Sequence, residues 1–156
     1  MMCLVIYSQV GAGGMVPLDE RTESYLEETL SRLKGLGITH ILCLAEGLCI
    51  FPDEFEYLQL RIADRCTEEE NSLMMTYFPD AFNFIESALS TRGKVFVHCN
   101  AGMSRSPTIV VSYLMKKNKW TYEQAVRHVR SIRKCATTHA FESSLLSLEK
   151  LLSLET

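Results

Sequence analysis

Residues 94–112, which read KVFVHCNAGMSRSPTIVVS, decide the fold that we expect for this chain. The apolar run at 95–97 ends abruptly in polar residues, which is typical of a short buried strand, although periodicity alone does not exclude a helix. A loop with two small residues follows. Pro107 then suits the first turn of a helix, because that position needs no N–H donor. Residues 108–115 are apolar on nearly every side, so we predict a buried helix there.

The order of strand, loop and helix N-terminus predicts an anion-binding site. Loop and first-turn N–H groups converge on one point at such a junction, and the helix dipole favours negative charge there. The sequence places one nucleophile, Cys99, and one fixed cation, Arg105, on this loop with five residues between them. A guanidinium holds two phosphate oxygens at once, and positive surroundings favour the thiolate form of a cysteine. The stretch therefore predicts a phosphate-binding loop with a thiolate at its floor.

The loop also carries a family resemblance. Residues 98–106 read HCNAGMSRS, and the Cys-x5-Arg within them resembles the signature loop of the protein tyrosine phosphatase superfamily. The histidine before the cysteine, the glycine and the serine after the arginine resemble the dual-specificity phosphatases. The alternative is a structural cysteine near an unrelated arginine, which these additional residues disfavour. The resemblance covers most of the chain from about Leu30 onward.

The resemblance implies a role for each loop residue. Cys99 would attack phosphorus and form a phosphocysteine intermediate, and Arg105 with the loop N–H groups would hold the equatorial oxygens. Ser106 stands where the family has a hydroxyl that stabilises the departing thiolate. His98 would be buried at the strand end and support the loop. The implied phosphate-binding residues form one run: Asn100, Ala101, Gly102, Met103, Ser104 and Arg105.

The expected general acid is Asp64. In the dual-specificity phosphatases the acid is an aspartate on a loop directly after a strand, and Asp64 follows a predicted strand at 56–63, 35 positions before Cys99. Such an acid protonates the leaving oxygen and then acts as base on the attacking water. Other acidic residues remain as alternatives: Asp53, Asp80, Glu68, Glu69 and Glu70.

The remaining segments predict an α/β fold. Helical and strand periodicities are found along the chain in this order: strands at 2–8, 38–45 and 56–63; helices at 19–36, 72–91, from Thr121, and at 139–152. Strands alternating with helices indicate a central mixed sheet with helices on both faces. We expect one compact domain over residues 1–156. Pro79 would kink or divide the helix in which it lies, and the glycine-rich residues 11–14 are expected to form a surface turn.

Composition excludes several classes of function. A net charge of −3 gives no support for nucleic acid or membrane binding. The spacing of the cysteines is not that of zinc ligands, so we expect no metal and no cofactor. We also expect no signal peptide, and therefore no disulfide scaffold and a cytoplasmic or nuclear location. The sequence does not indicate an oligomeric state. The six cysteines are Cys3, Cys43, Cys49, Cys66, Cys99 and Cys135.

The expected function is that of a metal-free, cysteine-dependent dual-specificity protein phosphatase. It would act on phosphotyrosine and on phosphoserine or phosphothreonine. Arg105 is the only basic residue on the loop, whereas relatives that act on inositol phosphates often have more, so a phosphoprotein substrate is favoured. One rival is a phosphate-binding pseudoenzyme. Another is a different reaction on a similar loop, namely sulfur transfer or hydrolysis of RNA 5′-triphosphate or another non-protein phosphate.

Three weaker expectations concern residues away from the loop. Arg133 has the position at which some relatives bind a second phosphate. The pair Thr137 and Thr138 stands where family members commonly have Pro-Asn, so a bond from that asparagine to the loop is in doubt. Cys43 or Cys66 is a candidate partner for an oxidised Cys99.

Overall fold

The computed structural model describes residues 4–7, 20–45, 51–65, 67–100, 102–132 and 140–155. Several sequence-based expectations fall outside these ranges. They concern the glycine-rich residues 11–14, Cys66, Ala101, Arg133 and the pair at 137–138.

The described chain contains four strands and five helices, all in segments where the sequence predicts them. In order they are β1 Leu4–Tyr7, α1 Glu20–Gly35, β2 His40–Cys43, β3 Glu56–Gln59, α2 Glu68–Ser90, β4 Val95–His98, α3 Arg105–Asn118, α4 Tyr122–Ile132 and α5 Glu142–Leu154. The strands are shorter than predicted. β3 ends at Gln59, but Leu60 and Ile62 beyond it are still buried, as the alternating pattern requires.

The sheet has the strand order β1-β4-β2-β3, and every described pair is parallel. We expected a mixed sheet, but the described strands are all parallel. Helices α1 and α2 lie in the crossovers from β1 to β2 and from β3 to β4, and such crossovers are the connections that parallel strands require. Because all the described strands run in one direction, the residues directly after β2, β3 and β4 lie at one edge of the sheet.

Helices cover both faces of the sheet, as the sequence predicts. On β4, Phe96 packs on the side of α1, whereas Val95 and Val97 pack on the opposite side among α2, α3, α4 and α5. Successive strand residues point to opposite faces, so Cys99 faces the four-helix side with Val97. None of the helices in the described ranges is both long and apolar enough to cross a membrane.

Helix α2 begins earlier than the sequence pattern predicts. Thr67 is its N-cap and forms a capping box with Glu70, so the acidic residues at 68–70 lie inside the first turn, where the helix dipole favours them. The helix continues through Pro79 without division. A second capping box joins Thr121 and Gln124 before α4, with bonds of 2.9 and 3.2 Å.

Candidate active site

The thiol of Cys99 lies at the junction between β4 and the loop and is only 2% exposed. Its Sγ accepts a hydrogen bond from the Gly102 N–H at 3.2 Å and lies 3.3 Å from Oγ of Ser106. Gly102 has a φ of 63°, a left-handed conformation that glycine enters without steric cost. The sulfur is therefore in contact with one backbone N–H and one hydroxyl group.

Arg105, the first residue of α3, is buried and fixed from behind. Its Nη1 donates to the carbonyl of Ile62 at 2.9 Å and, more weakly, to the carbonyl of Leu44 at 3.4 Å. These carbonyls belong to the segments that follow β3 and β2. The guanidinium is thus held between two loops at the edge of the sheet where Cys99 lies.

Asp64 lies beside this guanidinium and is also partly open to solvent. Its Oδ2 is 3.6 Å from Nε of Arg105, and the carboxylate side chain is 37% exposed. The distance is that of an ion pair but is longer than a hydrogen bond. The Asp64 carboxyl group therefore contacts Arg105 on one side and remains accessible to solvent on the other.

Three buried polar atoms in this region lack hydrogen-bond partners within the part of the chain that the structure describes. They are Nδ1 of His98, Oγ of Ser104 and Nε of Arg105. Buried polar groups are nearly always hydrogen-bonded, and two of these atoms, on Ser104 and Arg105, lie together at the start of α3, where they are available to a ligand. A guanidinium N–H together with a hydroxyl suits an anion such as phosphate.

The other loop residues differ in exposure. Asn100 is exposed and the Met103 side chain is 39% exposed, so both can contact whatever carries the phosphate. Ala101 lies outside the described residues. The loop thus combines a buried cysteine with exposed, uncharged side chains at Asn100 and Met103.

His98 is buried at the end of β4 and stacks on Phe96, with ring centroids 5.1 Å apart. Burial lowers the pKa of His98 to about 4, and a weaker hydrogen bond with the backbone of Cys99 opposes this shift. The imidazole is therefore neutral at pH 7. Its Nδ1 is buried without a partner among the residues described. His98 therefore acts on the loop through packing rather than through a positive charge.

The structure separates Asp64 from the other acidic candidates. Asp53 is exposed in the turn before β3, at the opposite edge of the sheet from Cys99, and Asp80 is exposed along α2. Glu70 forms the capping box of α2. Of the acidic candidates in the described ranges, Asp64 has the ion-pair contact with Arg105.

Cys43 is poorly placed to form a disulfide with Cys99. It pairs in register with His98, and its neighbours Leu42 and Leu44 belong to the same core as Cys99. Because strand side chains alternate, Cys43 faces the opposite side of the sheet. A bond between the two sulfurs would require the strands to rearrange. Cys66 remains a prediction outside the described residues.

Sequence reasoning missed the anchors of the site. The carbonyls of Leu44 and Ile62 leave no side-chain signal in a sequence. The carboxylate of Glu70 binds the backbone N–H of Arg65, directly after Asp64, at 2.8 Å. Its sequence signal, the capping-box pattern Thr67-x-x-Glu70, was present but was not used.

Fold and site together place a cysteine and an arginine on one loop at the carboxyl edge of a parallel sheet. A family model described as "Dual specificity phosphatase, catalytic domain" matches residues 22–151. The chain therefore belongs to the dual specificity phosphatase family, within the protein tyrosine phosphatase superfamily. The resemblance expected from the loop sequence is confirmed.

Individual relatives agree with this membership. Dual specificity protein phosphatase 1 of Arabidopsis thaliana is 45% identical over 120 residues, which are 76% of this chain and 59% of that protein. Serine/threonine/tyrosine-interacting protein A of Xenopus laevis is 34% identical over 121 residues, 74% of this chain and 52% of that protein. The chain thus spans between half and two thirds of the length of these two relatives.

Among solved structures, the human tyrosine phosphatase-like serine/threonine/tyrosine-interacting protein aligns with a TM-score of 0.73 and 32% identity. The alignment covers 80% of this chain and 85% of that one. Human DUSP28 aligns with a TM-score of 0.72 at 21% identity, over 81% and 84% of the two chains, which shows the shared fold alone.

Proposed function

We propose that this chain hydrolyses phosphate monoesters on proteins through a phosphocysteine intermediate. The observation that carries the proposal is the placement of Cys99. Its sulfur is 3.2 Å from the Gly102 nitrogen and 3.3 Å from the Ser106 hydroxyl, on the loop that carries the unsatisfied Nε of Arg105. The site thus combines a nucleophile with an incomplete set of anion contacts.

In the first step, the Cys99 thiolate attacks phosphorus and the bond from phosphorus to the leaving oxygen breaks. Arg105 and the loop N–H groups hold the nonbridging oxygens, whose charge is stabilised by donors that are already in position. The protonated carboxyl group of Asp64 gives its proton to the leaving oxygen, which departs as an alcohol or phenol. The products of this step are phosphocysteine and an Asp64 carboxylate.

In the second step, the Asp64 carboxylate takes a proton from water as the water oxygen attacks phosphorus. The bond from phosphorus to sulfur breaks, and Cys99 leaves as a thiolate with inorganic phosphate as the other product. The Ser106 hydroxyl can donate to that sulfur as negative charge returns to it. Each residue of the site is thereby restored to its starting protonation state.

The proposed substrates are phosphotyrosine and phosphoserine or phosphothreonine in proteins. Two features support this class: the relatives named dual specificity phosphatases, and the loop rim, where Asn100 and Met103 are exposed and uncharged. A highly charged inositol phosphate or RNA end would be better matched by basic side chains at these positions. We also propose a location in the cytoplasm or nucleus.

A second candidate function is phosphoprotein binding without turnover. The observation that favours it is the similarity to the tyrosine phosphatase-like serine/threonine/tyrosine-interacting protein. Against it stands the placement of Cys99, Arg105, Asp64 and Ser106, since binding alone needs neither a nucleophile nor an acid. The phosphatase proposal is therefore preferred.

Turnover on a matched panel of substrates tests the substrate class. We expect kcat/KM for phosphotyrosine and phosphothreonine peptides to exceed that for a phosphoinositide and an RNA 5′-triphosphate, with Cys99→Ser as the inactive control. Peptide binding by the wild-type chain without phosphate release would support the second candidate. A preference for either non-protein substrate would contradict the proposed class.

A further inference from the structure

Glu70 contacts more than its own helix cap. Its side chain is buried, with 9% exposure, and its Oε2 accepts the N–H of Thr67 at 3.4 Å, as a capping box requires. The same oxygen accepts the N–H of Arg65 at the shorter distance of 2.8 Å. Arg65 directly follows Asp64, so a carboxylate on α2 holds the backbone next to the proposed acid.

Asn71, the next residue, fixes the same region to the start of α5. Its Nδ2 donates to the carbonyls of Thr67 at 3.1 Å and Ala140 at 2.9 Å, and its Oδ1 accepts the N–H of Ser144 at 3.3 Å. All the hydrogen-bonding capacity of the Nδ2 group is used in these bonds. The start of α2, which carries the Glu70 contact, is therefore tied to a separate helix.

Arg105 holds the segment that carries Asp64, here called the acid loop (from Ile62 to Arg65), from the other side, through its 2.9 Å bond to the carbonyl of Ile62. Asp64 thus lies between two anchored backbone groups, the Ile62 carbonyl and the Arg65 N–H. The first anchor belongs to the phosphate-binding residue itself. The second belongs to Glu70, whose side chain binds the backbone of Arg65 and Thr67.

We propose that Glu70 and Asn71 are positioning residues for general acid catalysis. They hold Arg65 and Thr67, which flank the end of the segment that follows β3, so that the Asp64 carboxyl stays beside Arg105. This inference rests on the proposed role of Asp64. Because a misplacement of about 1 Å can cost about 10²-fold in rate, losing the Glu70 carboxylate should specifically weaken proton donation to the leaving oxygen.

The leaving group provides the readout. A phenyl phosphate needs a proton on its leaving oxygen, whereas a fluorinated umbelliferyl phosphate has a stable leaving anion and needs little acid catalysis. kcat/KM reports steps up to phosphocysteine formation, so slow hydrolysis of the intermediate does not obscure it. For Glu70→Ala we expect about tenfold loss or more with phenyl phosphate and less than about twofold with the fluorinated ester.

Conservative variants and a matched control separate positioning from stability. Glu70→Gln keeps an acceptor oxygen, so it should recover most of the phenyl phosphate activity. Asn71→Ser loses the bridge to α5 and should show a smaller selective loss, which keeps the test open if Glu70→Ala does not fold. Gln124→Ala removes the equivalent capping bond of α4, so it should lower stability and leave the ratio of the two substrates unchanged.

The double variant with Asp64→Asn distinguishes failure of this inference from failure of the proposed acid. If Asp64→Asn shows the selective loss and Glu70→Ala adds nothing to it, the two residues act in one step, as proposed. If Asp64→Asn shows the loss but the Glu70 and Asn71 variants reduce both substrates equally, the positioning role is wrong. If Asp64→Asn itself shows no selectivity for the leaving group, the acid assignment is wrong.

Discussion

Nε of Arg105 lies 3.6 Å from Oδ2 of Asp64. The arginine proposed to bind phosphate and the aspartate proposed as the acid are therefore direct neighbours. Arg105 also holds the acid loop through the Ile62 carbonyl at 2.9 Å. One side chain thereby connects the two functions that hydrolysis needs at the same time. Substrate binding and acid placement are consequently expected to fail together when this guanidinium is lost.

Arg105→Lys tests this double role. A lysine ammonium lacks the planar fork that serves a carbonyl and two phosphate oxygens together, so we expect kcat/KM to fall by about 10²-fold or more. Inhibition by vanadate, measured as Ki, should weaken in parallel. The control is Arg61→Lys at an exposed position before the acid loop. Less than about threefold loss in Arg105→Lys, relative to this control, would contradict the assignment.

Ser106→Ala tests the role of the hydroxyl 3.3 Å from the Cys99 sulfur. A hydrogen bond to a charged group contributes about 1.5–3 kcal/mol, which corresponds to about ten- to a hundredfold in rate. The loss should fall mainly on phosphocysteine hydrolysis, because the sulfur leaves with negative charge in that step. Rapid-quench kinetics should show a burst of alcohol followed by a slow steady state. An absent burst would reduce Ser106 to a structural residue of α3.

His98 predicts a pH dependence of stability. Burial holds its pKa at about 4, below the ordinary 6.5, so the unfolded chain binds the proton more readily between these values. The stabilisation by the neutral ring is complete above pH 6.5 and is lost as the pH falls toward 4. By linkage, about 2 kcal/mol of the free energy of unfolding should disappear between pH 7.5 and pH 5.

Urea unfolding at the two pH values measures this contribution. His98→Gln removes the titrating ring and should reduce the pH dependence by about 2 kcal/mol. His128→Gln, at an exposed position on α4, should keep the wild-type difference. Equal pH dependence in wild type and His98→Gln would show that the buried imidazole is not the cause.

Much of the fold and the nucleophile could be predicted because their signals are local. The apolar run of β4, the cysteine directly after it and Arg105 at the helix start are all contained in one short stretch. Asp64 could be predicted from its place after a strand. The parallel direction of the sheet could not, because strand pairing depends on contacts between residues far apart in the chain. The anchoring of Arg105 could not be predicted either, because every residue type supplies a backbone carbonyl.

The central claim is covalent catalysis by Cys99, and the most direct measurement is mass spectrometry of acid-quenched enzyme during turnover of a phosphotyrosine peptide with a metal chelator present. The account predicts one added phosphoryl group on the peptide that contains Cys99, accumulating further in Ser106→Ala and absent in Cys99→Ser. Full turnover by Cys99→Ser, or phosphate release that stops when the chelator is added, would contradict it.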